Sequence, residues 1–242
     1  MKYLLTIVTI CVSFVAALSQ EIDPIVTDRP TQSAAVTTVG KDQLLIESGF
    51  IAENTSPFEN YFNFNTLFRY GLGDRVEVRL TANYDRVSGD DFTSSGLGTT
   101  NLGTKVFLTS AEKSFADISV IGQVNLPTGE DNDETTGEIR FNFQNQLPNN
   151  FSLGYNLGLF FAPEGDNEVS PFYSIALSTS IGKGWTVFAE PYGFLDDPAD
   201  HRFNTGIIYL VSPQFQVDLT GGLGLSERSP NGFIGFGFAV GL

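Results

Sequence analysis

Between Arg75 and Tyr84 the chain alternates without a break. Val76, Val78, Leu80, Ala82 and Tyr84 are apolar, and Arg75, Glu77, Arg79, Thr81 and Asn83 between them are polar or charged. A period of two predicts a β-strand with one apolar face and one wet face. The pattern recurs along the chain. Ile139, Phe141 and Phe143 alternate with Glu138, Arg140, Asn142 and Gln144. Phe151, Leu153, Tyr155, Leu157, Leu159 and Phe161 alternate with Ser152, Gly154, Asn156 and Gly158. Phe215, Val217, Leu219, Leu223 and Leu225 alternate with Gln214, Gln216, Asp218 and Thr220.

Twelve such runs predict strands near Gln43–Ala52, Asn60–Leu72, Arg75–Asp85, Thr100–Leu108, Asp117–Leu126, Glu138–Leu147, Phe151–Phe161, Phe172–Ile181, Trp185–Phe194, Arg202–Val211, Gln214–Leu225 and Gly232–Leu242. Each is roughly ten residues long, the length of a tilted membrane strand. The ninth, WTVFAEPYGF, alternates poorly, so its faces are not assigned from sequence. The connections alternate between two kinds. One is mostly tight: GLGD, TSAEKSF, LPNN, GKG, SPQ. The other is mostly longer and acidic: DRVSGDDFTSSGLG, PTGEDNDETTG, APEGDNEVS, LDDPADHR, SERSPNG. Short turns at one end and long loops at the other are the asymmetry of outer-membrane barrels.

The first residues change the picture. MKYLLTIVTICVSFVAALSQ has a cationic Lys2, an apolar run from Tyr3 to Ala17, and small residues before Gln20. This reads as a signal peptide over residues 1–19, since the run falls short of the ~20 residues a spanning helix needs. Cys11, the only cysteine, lies inside it, so no disulfide or thiolate metal site is expected beyond it. A charge of −15 argues against nucleic acid as a partner. Twenty-five glycines and 13% aromatic residues, among short alternating runs, point to a barrel. The expected fold is therefore all-β: an antiparallel transmembrane β-barrel of about 12 strands over residues 41–242, preceded by an N-terminal segment, 20–40. Lipid forbids unpaired backbone groups, so the sheet must close. The apolar face then looks at lipid and the polar face into a lumen. A secreted sandwich would fit the same alternation but not the loop asymmetry. Nor would it explain Tyr70, Phe151, Trp185 and Phe215 beside the tight turns, where an interfacial aromatic belt belongs.

Several stretches resemble the outer-membrane family known as MetA-pathway of phenol degradation. They are TDRPTQSAAVTTV (Thr27–Val39), LLIESGF (Leu44–Phe50), LFRYGLGDRVEVRL (Leu67–Leu80), GLGTTNLGTKVFL (Gly96–Leu108), VNLPTG (Val124–Gly129) and TGIIYLVSPQFQVDLTGGLGLS (Thr205–Ser226). The resemblance covers almost all of the chain after the leader, and implies an outer-membrane transporter barrel. Two departures are Thr31 and Thr99, where family members tend to carry acidic residues. The resemblance carries fold and location, and hardly touches the solute.

Alternation places Glu47, Arg69, Arg75, Glu77, Arg79, Lys105, Glu138, Arg140 and Asp218 on the lumenal side. Such mixed charges can orient a small solute, or pair with one another and brace the barrel. The segment from Gln20 to Gly40 carries Pro24 and Pro30 and shows no strand pattern. It is either a periplasmic tail or a plug led by Thr27, Asp28, Arg29 and Pro30, with Arg29 paired to an inward carboxylate. Glu47 is the nearest candidate, with Glu77 and Glu138 as alternatives. Clustered carboxylates such as Asp90, Asp91, Glu130, Asp131, Asp133 and Glu134 read as solvated loops; Ca²⁺ or Mg²⁺ bridging to lipopolysaccharide is the sharper alternative. His201, the only histidine, lies in an acidic loop with no evident partner for hydrolysis. No catalytic residue and no cofactor are expected. The expected partners are outer-membrane lipid and lipopolysaccharide, a small-molecule solute, and the barrel assembly machinery at the C-terminal strand. A small, aromatic or otherwise apolar solute, a closed structural or surface-interaction barrel, and an outer-membrane hydrolase are the functions to be weighed, in that order.

Overall fold

The computed structural model describes residues 23–56, 59–89, 91–128, 135–162 and 169–242. The leader and most acidic loop carboxylates named above lie outside them. Twelve strands form one closed antiparallel barrel, each bonded to its neighbours in sequence, with the last strand returning to the first. They are β1 (Leu44–Ser56), β2 (Glu59–Gly73), β3 (Val76–Ser88), β4 (Thr93–Thr109), β5 (Asp117–Leu126), β6 (Thr136–Gln146), β7 (Phe151–Phe161), β8 (Val169–Gly182), β9 (Trp185–Phe194), β10 (Asp200–Ser212), β11 (Phe215–Gly224) and β12 (Gly232–Gly241). Closure runs from Leu45↔Gly241 to Asn54↔Gly232 without a register shift. No strand edge is left to pair with another chain.

The alternation sorts the side chains as lipid requires. Leu80 and Phe141 point outward at 42% exposure each, while Glu47, Arg69, Glu77 and Lys105 are fully buried inside. The molecule is thus apolar outside and charged within, the reverse of a soluble sandwich. At the tight-turn end Trp185 stacks on Tyr209, ring centroids 4.3 Å apart. Tyr70, Phe151 and Phe215 stand exposed at the same rim, as an interfacial belt would.

Two strands depart from their sequence expectation. β4 begins at Thr93, not Thr100, and β3 continues to Ser88, so most of the predicted loop is a paired hairpin: Asp85↔Gly96, Arg86↔Ser95, Val87↔Ser94 and Ser88↔Thr93. Beyond the lipid both faces of a strand are wet, so Ser, Thr and Gly replace the alternation while backbone pairing persists. β9 can now be assigned: Phe188, Glu190 and Tyr192 are buried inward. Its inward aromatics hid the period. Pairing of β8 with β9 is interrupted between Ser174↔Tyr192 and Leu177↔Ala189, beside Pro191, which has no N–H to donate.

Charge on the outer face tests this assignment. Leu80→Arg or Phe141→Arg should cost about 2–4 kcal/mol in lipid. Denaturant titration of vesicle-embedded protein, followed by heat-modifiable gel migration, should show both variants shifted well below the wild type.

Candidate functional site

The lumen is occupied by residues of the chain itself. The stretch Asp23–Gly40 enters at the tight-turn end, where the Ile25 N–H donates to the Pro213 carbonyl at 2.8 Å. It reaches the barrel middle around Pro30–Ala34 and returns, so that Lys41 bridges to Gly71 on β2. Gly71 is required there, because a Cβ would overlap the Gly40 carbonyl. The stretch has no hydrogen-bonding strand neighbour of its own, so its backbone groups are met by wall side chains.

Asp28 is the centre of this arrangement. Its carboxylate accepts from Arg79 Nη2 at 2.7 Å and Lys105 Nζ at 3.2 Å, with Arg69 Nη1 at 3.5 Å. Arg69 also pairs with Glu47 at 2.9 Å and, through two nitrogens, with Glu77 at 2.9 and 3.0 Å. Arg79 Nη1 donates to Glu77 at 2.8 Å. Three cations from β2, β3 and β4 thus face two wall carboxylates, and Asp28 supplies the third. Burial alone would push the Asp28 carboxyl up, but Arg69, Lys105 and Arg79 outweigh it and hold it well below the usual carboxylate range.

Arg29 departs from the sequence expectation. Its guanidinium pairs with Asp218 on β11 at 3.2 Å, not with Glu47, Glu77 or Glu138. Glu47 is occupied otherwise: it accepts the backbone N–H groups of Asp28 and Arg29, each at 2.9 Å, and Arg69. The space for Arg29 comes from Gly49 on β1 and Gly237 on β12, which face each other across the closing seam. A Cβ on either would overlap the guanidinium. Arg75 also departs: it lies in the β2–β3 turn, exposed, with its guanidinium 5.9 Å from the Phe107 ring centre. The alternation was extended one residue past the strand end.

Of the remaining predicted residues, Glu138 and Arg140 lie on the inner wall, and Thr27 and Pro30 on the lumenal segment. Arg140 donates to the Gln32 carbonyl at 3.0 Å, sits against Glu138, and covers the Phe172 ring at 4.5 Å. Thr27 donates to its own turn at the Arg29 carbonyl, and the Pro30 carbonyl accepts from Asn204 at 3.4 Å. Sequence reasoning missed Glu190, Asn156, Ser174 and Asn204. Glu190 accepts the N–H groups of Gln32 and Ser33 at 2.8 and 2.7 Å. Asn156 accepts the Ala34 N–H at 2.6 Å, and Ser33 and Ser174 hydroxyls meet at 2.8 Å. Asn156 was on the polar side of a clear alternation and could have been named; Glu190 lay in the one strand without a readable period. A second network lines the opposite half of the lumen, where Arg202 pairs with Glu53 at 3.2 Å and Asp200 at 2.8 Å. His201 Nδ1 lies 3.1 Å from the Tyr173 hydroxyl.

A closed twelve-stranded barrel with an apolar exterior and a charged lumen is a β-barrel of the outer-membrane type. The chain belongs to the family described as MetA-pathway of phenol degradation, whose model matches residues 27–242. That match begins within the lumenal segment. Among solved structures, an outer membrane channel from Pseudomonas putida F1 is similar at 13% identity with a TM-score of 0.71, covering 88% of this chain and all (100%) of that one. The KdgM porin is similar at 9% identity with a TM-score of 0.57, covering 81% and 98%. These likenesses establish the fold. No curated protein sequence matches the chain.

The Asp28 cluster carries a direct test. Asp28→Ala leaves three buried cations facing two carboxylates, a loss of about 3–5 kcal/mol if the segment stays in place. Releasing the segment admits water to these cations, so proteinase K should cut within Thr31–Val39 in the folded variant and spare the wild type. Gly237→Ala should free the same stretch for cleavage in this assay, by excluding the Arg29 guanidinium from its notch.

Proposed function

We propose that the protein is a passive outer-membrane channel for a small solute, with its tight turns toward the periplasm and its lumen closed at rest by its own N-terminal segment. The observation that carries this reading is the segment Asp23–Gly40 itself, folded into a polar lumen that still holds open chambers on two sides of it. One chamber, about 180 Å³, is lined by Asp28, Arg79, Gln123, Glu138 and Arg140. Another, about 300 Å³, mixes Ser152, Ser178 and Thr186 with Phe143, Phe188, Ile208 and Leu210. Charged groups in the first suit a polar head, and apolar side chains in the second suit an aliphatic or aromatic body. The sequence carries no nucleotide-binding motif, so the flux is read as passive.

One observation favours a second reading. The charges around Asp28 are so fully paired that they could serve only to brace a closed structural barrel. Deletion of Asp23–Thr38 separates the two. A channel plugged by this segment should give a clear rise in single-channel conductance in planar bilayers while the barrel stays heat-modifiable on gels. A folded deletion variant with no added conductance supports the structural barrel.

A further inference from the structure

The lumenal segment is held by two different kinds of contact. Its entering arm is held by charge, Asp28 by Arg79, Lys105 and Arg69, and Arg29 by Asp218; its returning arm is held by charged wall groups, Lys105 and Arg69 donating to the Ala35 and Thr37 carbonyls and Glu77 accepting the Val39 N–H. Its tip is held by hydrogen bonds. The N–H groups of Gln32 and Ser33 meet the Glu190 carboxylate, the Ala34 N–H meets Asn156, and the Ser33 hydroxyl meets Ser174. Arg140 reaches this tip through the Gln32 carbonyl. Glu190 itself receives the backbone N–H groups of Gln32 and Ser33 and the side-chain amide of Asn204. Pulling the arms out strands buried charges on the wall. Moving the tip leaves a single buried carboxylate, Glu190, which keeps its Asn204 donor and can take water in place of the two N–H groups.

The two chambers meet at this tip. Thr31 and Ala34 line both the chamber of about 180 Å³ and the chamber of about 300 Å³. A shift of Thr31–Ala34 would therefore join them into one passage beside the arms, with no need to expel the segment.

We propose that solute passes beside the N-terminal segment, between its tip and the wall, and that Thr31–Ala34 is the moving part. Glu190 is the latch that sets how often the strip moves, while Asp28 and Arg29 stay anchored. The inference rests on the channel reading above. It favours small solutes with a hydrogen-bonding group, since the smaller chamber, about 180 Å³, is lined by Asp28, Arg79, Gln123, Glu138 and Arg140.

The test uses a disulfide lock. Cys11 is the only cysteine, so a Cys11→Ser background is free of competing thiols. Ser33→Cys with Ser174→Cys replaces a hydroxyl pair 2.8 Å apart, close enough for a sulfur bridge with modest adjustment. In planar bilayers the oxidised protein should lose its conducting events, and dithiothreitol should restore them. Glu190→Gln replaces one of the two oxygens, each of which accepts one of the Gln32 and Ser33 N–H groups, and should raise the open fraction about tenfold, the scale of one hydrogen bond to a charged group. Should the wild type be silent, Glu190→Gln supplies the events that the lock must abolish. An oxidised lock that conducts like its reduced form overturns the proposal. So does a silent Glu190→Gln variant when the Asp23–Thr38 deletion conducts. Silence of the deletion variant itself sinks the channel reading instead.

Discussion

The carboxylate of Asp28 is the group on which the interior depends. Arg69, Arg79 and Lys105 stand on adjacent strands and point at one spot. Among the described wall residues they pair with the carboxylates of Glu47 and Glu77. Buried cations without partners are among the costliest defects a fold can carry. The wall is therefore incomplete by one carboxylate, and the completing group comes from a segment that crosses no lipid. Electrostatics alone would hold any anion there. The backbone donors of Asp28 and Arg29 on Glu47 and the Ala35 N–H on Asp28 fix its orientation.

This arrangement explains how so many buried polar groups can be accommodated inside the barrel. A soluble core meets the requirement for unpaired groups by having few of them. Here the lipid claims the apolar side of every strand, so the inside has to be built from the other side of the alternation. Polar side chains on a β-wall are spaced too widely to satisfy one another across a barrel. A chain threaded up the middle closes those gaps, because its own N–H and C=O groups meet Glu190, Asn156, Glu77 and Arg69 from all around the wall.

Much of this was readable from the sequence, and the reasons are specific. Val76–Tyr84 alternates because one face meets lipid, and that single constraint revealed strand count, closure and which face carries charge. It failed where the constraint was absent. Thr93–Leu97 pairs with β3 above the lipid, where neither face is selected to be apolar, so it read as loop. Arg75 continued the alternation but sits in a turn, because parity does not mark where a strand stops. Arg29 was expected to pair with Glu47 because Glu47 is near in sequence. Asp218 lies far along the chain, and only closure of β12 onto β1 brings β11 within one strand of the first. Sequence distance is uninformative in a barrel for the strands next to the seam.

The seam itself shows how wall and segment specify each other. Every other strand pair is joined by a connection that limits its register. The β1–β12 pair is joined only through the whole length of the chain. A slip of one residue would turn the outward face of β12 into the lumen. A slip of two would preserve the faces, so alternation offers no protection against it. The notch for Arg29 does distinguish the two-residue slip in one direction. In the observed register Gly49 faces Gly237, and Ala239 faces Glu47. Sliding Ala239 opposite Gly49 would put a methyl group where the guanidinium lies, while Asp218 on β11 would shift away from it with its strand. Arg29 in its notch thus favours the closure that apolar patterning leaves undecided. The segment that fills the lumen is also a gauge of whether the barrel has closed correctly.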